Sequence, residues 1–412
     1  MRPTADPVRY VDFLAAAAVD DATLDLFLDP ERPSWAKFDP VLGYRLANFL
    51  PRDGIGGCAT ISTFDADGAR TARMYTDKPC RIATYGDSFT QCTQVSDGET
   101  WQEYLAAHLG EPVRNYGVGG YGVYQAYRRM LEVEAREDGS EYVILHIWGD
   151  DHTRSLMRCR HAAVYPVYDN SGTTFHVNFW SNIEMDLETG EFRERENLLA
   201  TPEALRRMSD PEWMVESLRD DLAIEMVAYT RGWTSDVDLP RLRLLADRLG
   251  VSGDALAEPQ PPRAAVEQLL DRYSYAATEW VLVRARAFLE QRGKQLLVCL
   301  IDPVRAMVEL AAGKPRCDQQ VVTFLQEGGF RHFDMNPVHA EDHKSFAIPF
   351  DDYMKRYLMG HYYPSGNHFF AFSLLPTLVD WLDPKPLTYA STDELLPDYQ
   401  GYIGARDRNA SV

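Results

Sequence analysis

From residue 81 to residue 148 the chain alternates short apolar runs with longer amphipathic stretches, and this rhythm restricts the fold more than any other feature. The runs at 81–85, 112–116 and 142–148 are too short to be buried helices and read as strands, whereas the stretches at about 98–109 and 122–134 carry helical spacing. Strands alternating with helices predict an α/β fold in which a parallel sheet is covered on both faces. The rhythm returns with a helix at about 276–292, the apolar run "QLLVCLID" at 295–302, the segment "FRHFDM", and a final helix from about 367 to 382.

Between these two blocks the pattern breaks. An α/β core is therefore expected over 76–155 and 281–385, interrupted by an insertion at 156–280 that serves as a lid or as a contact between copies of the chain, that is, a homo-oligomer. Residues 1–75 hold one helix followed by turn-rich sequence and read as a segment wrapped over the core, and 386–412 read as a tail. The insertion opens with aromatics, Tyr165, Tyr168, Phe175, Phe179 and Trp180. Such rings permit a sugar-stacking surface, although aromatics in such runs more commonly build core.

Charge narrows the partners. Sixty-two acidic against 42 basic residues give −20 at pH 7, and a field of that sign repels phosphate backbones and anionic membrane surfaces. Neither nucleic acid nor membrane is an expected partner. The apolar piece at 11–19 contains Asp12 and is followed by no cleavage-site pattern, so it does not read as a signal peptide. Nothing approaches the length of a membrane span. The six cysteines, Cys58, Cys80, Cys92, Cys159, Cys299 and Cys317, lack C-x-x-C spacing, which suggests neither a zinc site nor a disulfide scaffold. The expectation is a cytoplasmic enzyme with free thiols that needs no cofactor or metal.

Residues 84–90 read "TYGDSFT" and place Ser88 directly after the first strand. Gly-Asp-Ser is ordinary turn chemistry, because glycine tolerates positive φ while Asp and Ser bond nearby backbone. The same turn, at the carboxyl end of a central strand, exposes a serine hydroxyl in the crevice where open α/β sheets bind ligands. Such a hydroxyl becomes a nucleophile once an adjacent base takes its proton.

Four blocks in order decide between these readings. Gly86-Asp87-Ser88 follows the first strand, "NYGVGG" at 115–120 places Gly120 after the second, "GDD" at 149–151 follows the third, and "GHYYPSGNHFF" at 360–370 places a histidine before the last helix. In these blocks the chain resembles the SGNH/GDSL hydrolases, over roughly 80–155 and 290–382. The resemblance implies a flavodoxin-like three-layer sandwich and hydrolysis of an ester through an acyl-enzyme on Ser88. It also implies Gly120 as a backbone oxyanion donor, His361 as the base and an O-acyl group, such as acetyl on a carbohydrate, as the leading substrate class. His368, inside the following helix among Phe369, Phe370 and Phe372, competes with His361 for the base but reads as a packing residue.

Two departures stand out. Where the family has an asparagine that donates to the oxyanion, this chain has Asp150, which can only accept when ionised. Asp150 is expected beside the site: protonated by burial, acting on His361 or a substrate hydroxyl, or holding the loop. The triad acid is also absent from its usual place, where Leu358 and Met359 stand. Either Asp351 or Asp352 folds back, or the imidazole is oriented by a carbonyl in a Ser-His dyad. Asp151, His152 and Arg154 cluster nearby, so Arg154 is a candidate for a substrate carboxylate or sugar hydroxyl, with a structural ion pair as the plainer reading. Two other functions fit the same blocks: acyl transfer by the same acyl-enzyme, and a binding module that kept the fold without the chemistry.

Overall fold

In the computed structural model the described residues are 9–164 and 179–389. The chain first makes an antiparallel hairpin of β1 (Ala36–Asp39) and β2 (Gly43–Leu46). The strands β3 (Ile82–Tyr85), β4 (Val113–Asn115) and β5 (Tyr142–Trp148) follow. A second antiparallel hairpin, β6 (Asn182–Met185) with β7 (Phe192–Arg195), precedes β8 (Gln295–Ile301) and β9 (His332–Asp334).

Five of these strands form one parallel sheet in the order β4-β3-β5-β8-β9. Within the sheet the first strand in the chain thus lies between the second and the third, which is the doubly wound order. Its connections leave in opposite directions from β3, opening a crevice at the carboxyl ends of β3 and β5.

Period-two alternation distributes the strand side chains between two helical layers. Tyr85, Val143, Leu145, Ile147, Val298 and Leu300 face one core, shared with the helices Val123–Glu134 and Arg263–Glu290. Ile82, Tyr142, Ile144, Leu297, Cys299 and Ile301 face the other, shared with the helices Trp101–Leu109 and Pro364–Trp381. Each fully buried aliphatic or phenyl side chain contributes about 1.5–3 kcal/mol of transfer free energy, so the alternation fixes both faces.

Two segments depart from the sequence reading. The N-terminal segment holds two helices, Tyr10–Ala16 and Asp21–Leu28, and the β1–β2 hairpin rather than one helix and loops. Its hairpin turn is closed by the Asp39 carboxylate, which accepts from the backbone N–H groups of Val41 and Leu42 at 2.9 and 2.7 Å. Tyr10, Phe13, Phe27 and Tyr44 join the first of the two cores, so this segment is part of the fold's interior. The helix expected from about 276 starts at Arg263, directly after Pro262, and crosses the boundary drawn at 280 without a break. Phe179 and Trp180 are buried in the core, while Tyr165, Tyr168 and Phe175 lie outside the described residues. Among the described residues no helix is long and apolar enough to cross a membrane.

Candidate active site

Ser88 opens a four-residue helix, Ser88–Gln91, immediately after β3. The preceding turn is tight: a Cβ on Gly86 would lie 2.5 Å from the carbonyl oxygen of His146, so only glycine lets β3 turn against β5 there. Asp87, fully buried, caps the helix by accepting from the N–H of Phe89 at 2.9 Å. Its second carboxylate oxygen stands 3.2 Å from Ser88 Oγ, and burial raises its pKa.

The turn before the last sheet-covering helix brings His361. His361 sits in a narrow turn in which Met359 N–H donates to the His361 carbonyl at 2.9 Å, just before Pro364 starts the helix. His361 Nε2 lies 2.8 Å from Ser88 Oγ. Beneath the turn, Tyr353 spends its hydroxyl proton on Asp342, 2.8 Å away, and so accepts from His339 Nδ1 at 3.0 Å. That leaves His339 Nε2 to accept from Tyr362 at 2.7 Å, which ties the neighbour of His361 to the buried layer.

The residue that orients His361 is Gln94. Its Oε1 is 2.9 Å from the backbone nitrogen of His361 and 3.1 Å from His361 Nδ1. A backbone N–H can only donate, so the amide oxygen faces the histidine, and Gln94 Nε2 donates the other way to the Asp53 carbonyl at 3.2 Å. The oxygen in turn can only accept, which puts the proton on Nδ1 and leaves Nε2 free to accept from Ser88. Asp351 and Asp352 are not recruited: both are exposed on the helix Phe350–Met354, and Asp352 pairs with Lys355 at 2.7 Å. The dyad with a carbonyl-oriented imidazole is the arrangement present, and the carbonyl belongs to a side chain the sequence reading did not single out.

Gln94 is held by the N-terminal segment. It has the left-handed φ of +76°, unusual for a residue with a Cβ, in a loop that also holds Cys92 at +61°. Arg70 is buried and clamps this loop, donating to the carbonyls of Cys92 at 2.8 Å and Val95 at 2.6 Å and pairing with Asp97 at 3.0 Å. The N-terminal segment, expected to wrap over the core, thus contributes both the clamp and, through Asp53, the anchor of Gln94.

Gly120 lines the same cleft at φ +89°, where a Cβ would come 2.8 Å from Cζ of Arg160. The backbone N–H groups of Ser88 and Gly120 have no acceptor among the described residues, as an oxyanion hole requires. The cleft holds about 430 Å3 and is walled by Trp35, Phe49, Phe89 and Trp148, with Asp150, Arg154 and Arg160 at one side. Arg154 lies 4.7 Å above the Trp148 ring and donates to Asp151 at 2.9 Å. Asp150 stands at the rim with 69 % of its side chain exposed, 3.6 Å from Arg154. His152 is removed from the cleft, buried against Tyr275 with Nδ1 on Thr278 at 2.8 Å. His368 packs edge-on against Tyr104 at 5.2 Å on the exposed side of its helix, as a structural residue would.

Burial, aided by the nearby Arg154 cation, lowers the pKa of His361 to about 4. If His361 serves as a general base, the acid limb of kcat/KM is expected near pH 4–5, below the position of an ordinary histidine. Replacing Gln94 by Glu is expected to move this limb upward by about one to three pH units, because a carboxylate beside Nδ1–H favours the imidazolium. Replacing it by Ala is expected to lower kcat about ten- to a hundredfold through loss of ring orientation. Asp351→Asn and Asp352→Asn should remain near wild type. A pH–rate series on the four variants reads all these outcomes.

No known protein family matches the chain, and no curated protein matches it.

Proposed function

We propose that the protein is a serine hydrolase of the SGNH/GDSL type that cleaves a carboxylic ester through an acyl-enzyme on Ser88. The observation that carries this reading is the 2.8 Å contact of Ser88 Oγ with His361 Nε2, in the tautomer that Gln94 selects, at the switch point of the sheet. Ser88 Oγ attacks the ester carbonyl carbon while its proton passes to His361 Nε2. The carbonyl oxygen becomes an oxyanion facing the N–H groups of Ser88 and Gly120. Collapse breaks the bond to the alcohol, which leaves with the proton from His361. Water then gives its proton to His361, attacks the acyl carbon and releases the acid and the Ser88 hydroxyl.

A neutral amide orients the imidazole but lacks the negative charge with which a triad carboxylate stabilises the imidazolium. Oxyanion stabilisation therefore carries a larger share of catalysis here. Arg160, packed against Gly120, adds positive charge on that side.

An O-acyl group, such as acetyl on a carbohydrate, remains the leading substrate class. Any ring stacking falls to Trp35, Phe49, Phe89 and Trp148, since Phe179 and Trp180 are interior. Six free thiols suit a reducing cytoplasm. Acyl transfer is the second reading, favoured by a further cleft beyond Arg154 with room for an acceptor hydroxyl. Turnover of p-nitrophenyl acetate with an initial burst of one p-nitrophenolate per chain, together with labelling by a fluorophosphonate, is the expected result. Absence of both would leave a binding module. Product analysis with added alcohols separates transfer from hydrolysis.

A further inference from the structure

Gln94 fixes more than the imidazole. Its amide oxygen puts the proton of His361 on Nδ1, so Nε2 accepts the hydroxyl proton of Ser88 at 2.8 Å. A serine has one such proton, and His361 takes it. Oδ2 of Asp87 nevertheless lies 3.2 Å from the same Oγ. Two oxygens at that separation repel when neither donates, whereas a proton on Asp87 turns the contact into a hydrogen bond from Oδ2 to Oγ.

The groups around Asp87 point the same way. Two buried carboxyls, Asp87 and Asp151, face one guanidinium, and Arg154 Nη1 stands nearer to Asp151, at 2.9 Å against 3.9 Å. Burial raises both carboxyls above the ordinary carboxylate range, and their bonding partners separate them. Asp151 accepts on both oxygens from groups that can only donate, Arg154 at 2.9 Å and the Trp148 N–H at 2.9 Å. Asp87 accepts on one oxygen from the Phe89 N–H at 2.9 Å and meets on the other an Oγ with no proton left to give. The Phe89 and Thr90 backbone groups and Arg154 favour an ionised Asp87, and burial outweighs them. Tyr44, within the field of Asp87, Asp151, Arg154 and Arg160, is pushed up to about 12 by burial, as is Cys92, so neither brings a charge.

We propose that Asp87 is neutral in the active protein and donates its proton to Ser88 Oγ, which makes it the positioning residue that turns the Ser88 hydroxyl toward His361. The positioning role rests on the ester-hydrolase reading; the proton on Asp87 does not. An ionised Asp87 accepts the Ser88 proton instead and draws it away from Nε2. Asp87 keeps its own proton through the cycle: the Ser88 proton passes to Nε2 on attack, and a proton returns from Nε2 when Oγ is expelled. The rate is therefore full while Asp87 is protonated and falls as pH rises through its raised pKa, opposite in sign to the His361 limb.

Infrared difference spectra of Asp87→Asn against wild-type protein test the proton, and pH profiles of kcat/KM test its role. At the pH of greatest wild-type activity, the difference spectrum should show loss of a protonated-carboxyl C=O stretch, and raising the pH should convert that wild-type band to carboxylate. Asp87→Asn keeps an oxygen for the Phe89 N–H and offers an amide N–H to Oγ at every pH, and asparagine caps a helix as well as aspartate does. Its profile should retain the acid limb and lose the upper one. Above the upper limb it should exceed wild type by about ten- to a hundredfold, the scale of restored orientation. A residue that only capped the helix would leave the two profiles alike. Absence of the protonated band, a wild-type profile without an upper limb, or an upper limb that survives in Asp87→Asn would overturn the proposal. The titrating band with no turnover of any ester would keep the proton on Asp87 and remove the hydrolase; turnover with identical profiles would do the reverse.

Discussion

Ser88→Ala is expected to lower kcat on any turned-over ester by about ten-thousandfold or more, the scale on which nucleophile removal acts in serine hydrolases. Fluorophosphonate labelling should vanish with it. The reason is local. Ser88 Oγ is the hydroxyl 2.8 Å from His361 Nε2, and among the described residues lining the cleft no other hydroxyl has a histidine nitrogen at that distance. The substitution removes one oxygen at a helix start whose cap is made by Asp87, so the fold should persist, and a circular dichroism melt close to wild type checks this. Full labelling of the variant would move the nucleophile elsewhere.

His361→Ala carries the second-largest expectation, a loss in kcat of at least about two orders of magnitude, the lower end of a general base's contribution. Once the imidazole is gone, the side-chain partner left to Ser88 Oγ among the described residues is Asp87 at 3.2 Å, a buried carboxyl of raised pKa that caps a helix. Added imidazole should restore part of the rate through the space vacated, which a purely structural role would not allow. His368→Ala, on the exposed side of the same helix, should alter stability slightly and kcat hardly at all. A larger kcat loss at His368 than at His361 would reassign the base.

The sheet was legible because its strands are buried on both faces. Apolar runs at 81–85, 142–148 and 295–302 cannot hide another pattern, and their helices carry a clear period. The meeting of Ser88, Gly120 and His361 in one cleft was legible because the first two follow strands and the third directly precedes the final helix. Gln94 was not. Orienting an imidazole needs only an acceptor in the right place, so no residue type is demanded, and this one comes from an aperiodic loop 267 positions away. Its one local sign is its place shortly after the nucleophile's helix. The Arg70 clamp was hidden for the same reason, since a buried arginine that bonds carbonyls leaves no pattern in the sequence. Asp150 lines the cleft and is exposed there, and that exposure could not be read from a Gly-Asp-Asp run.

The 273 residues separating Ser88 from His361 have a consequence for the nascent chain. At about 5–20 residues per second, synthesis of that span takes roughly a quarter of a minute to a minute. Throughout this interval Ser88 has no His361 within reach. The Ser88–His361 contact forms only when the helix Pro364–Trp381 docks against Trp101–Leu109 and carries its preceding turn over the loop of Gln94. On the hydrolase reading, the ribosome-bound intermediate is thus spared acylation by the order of its own parts, and completion of the fold becomes the activating event.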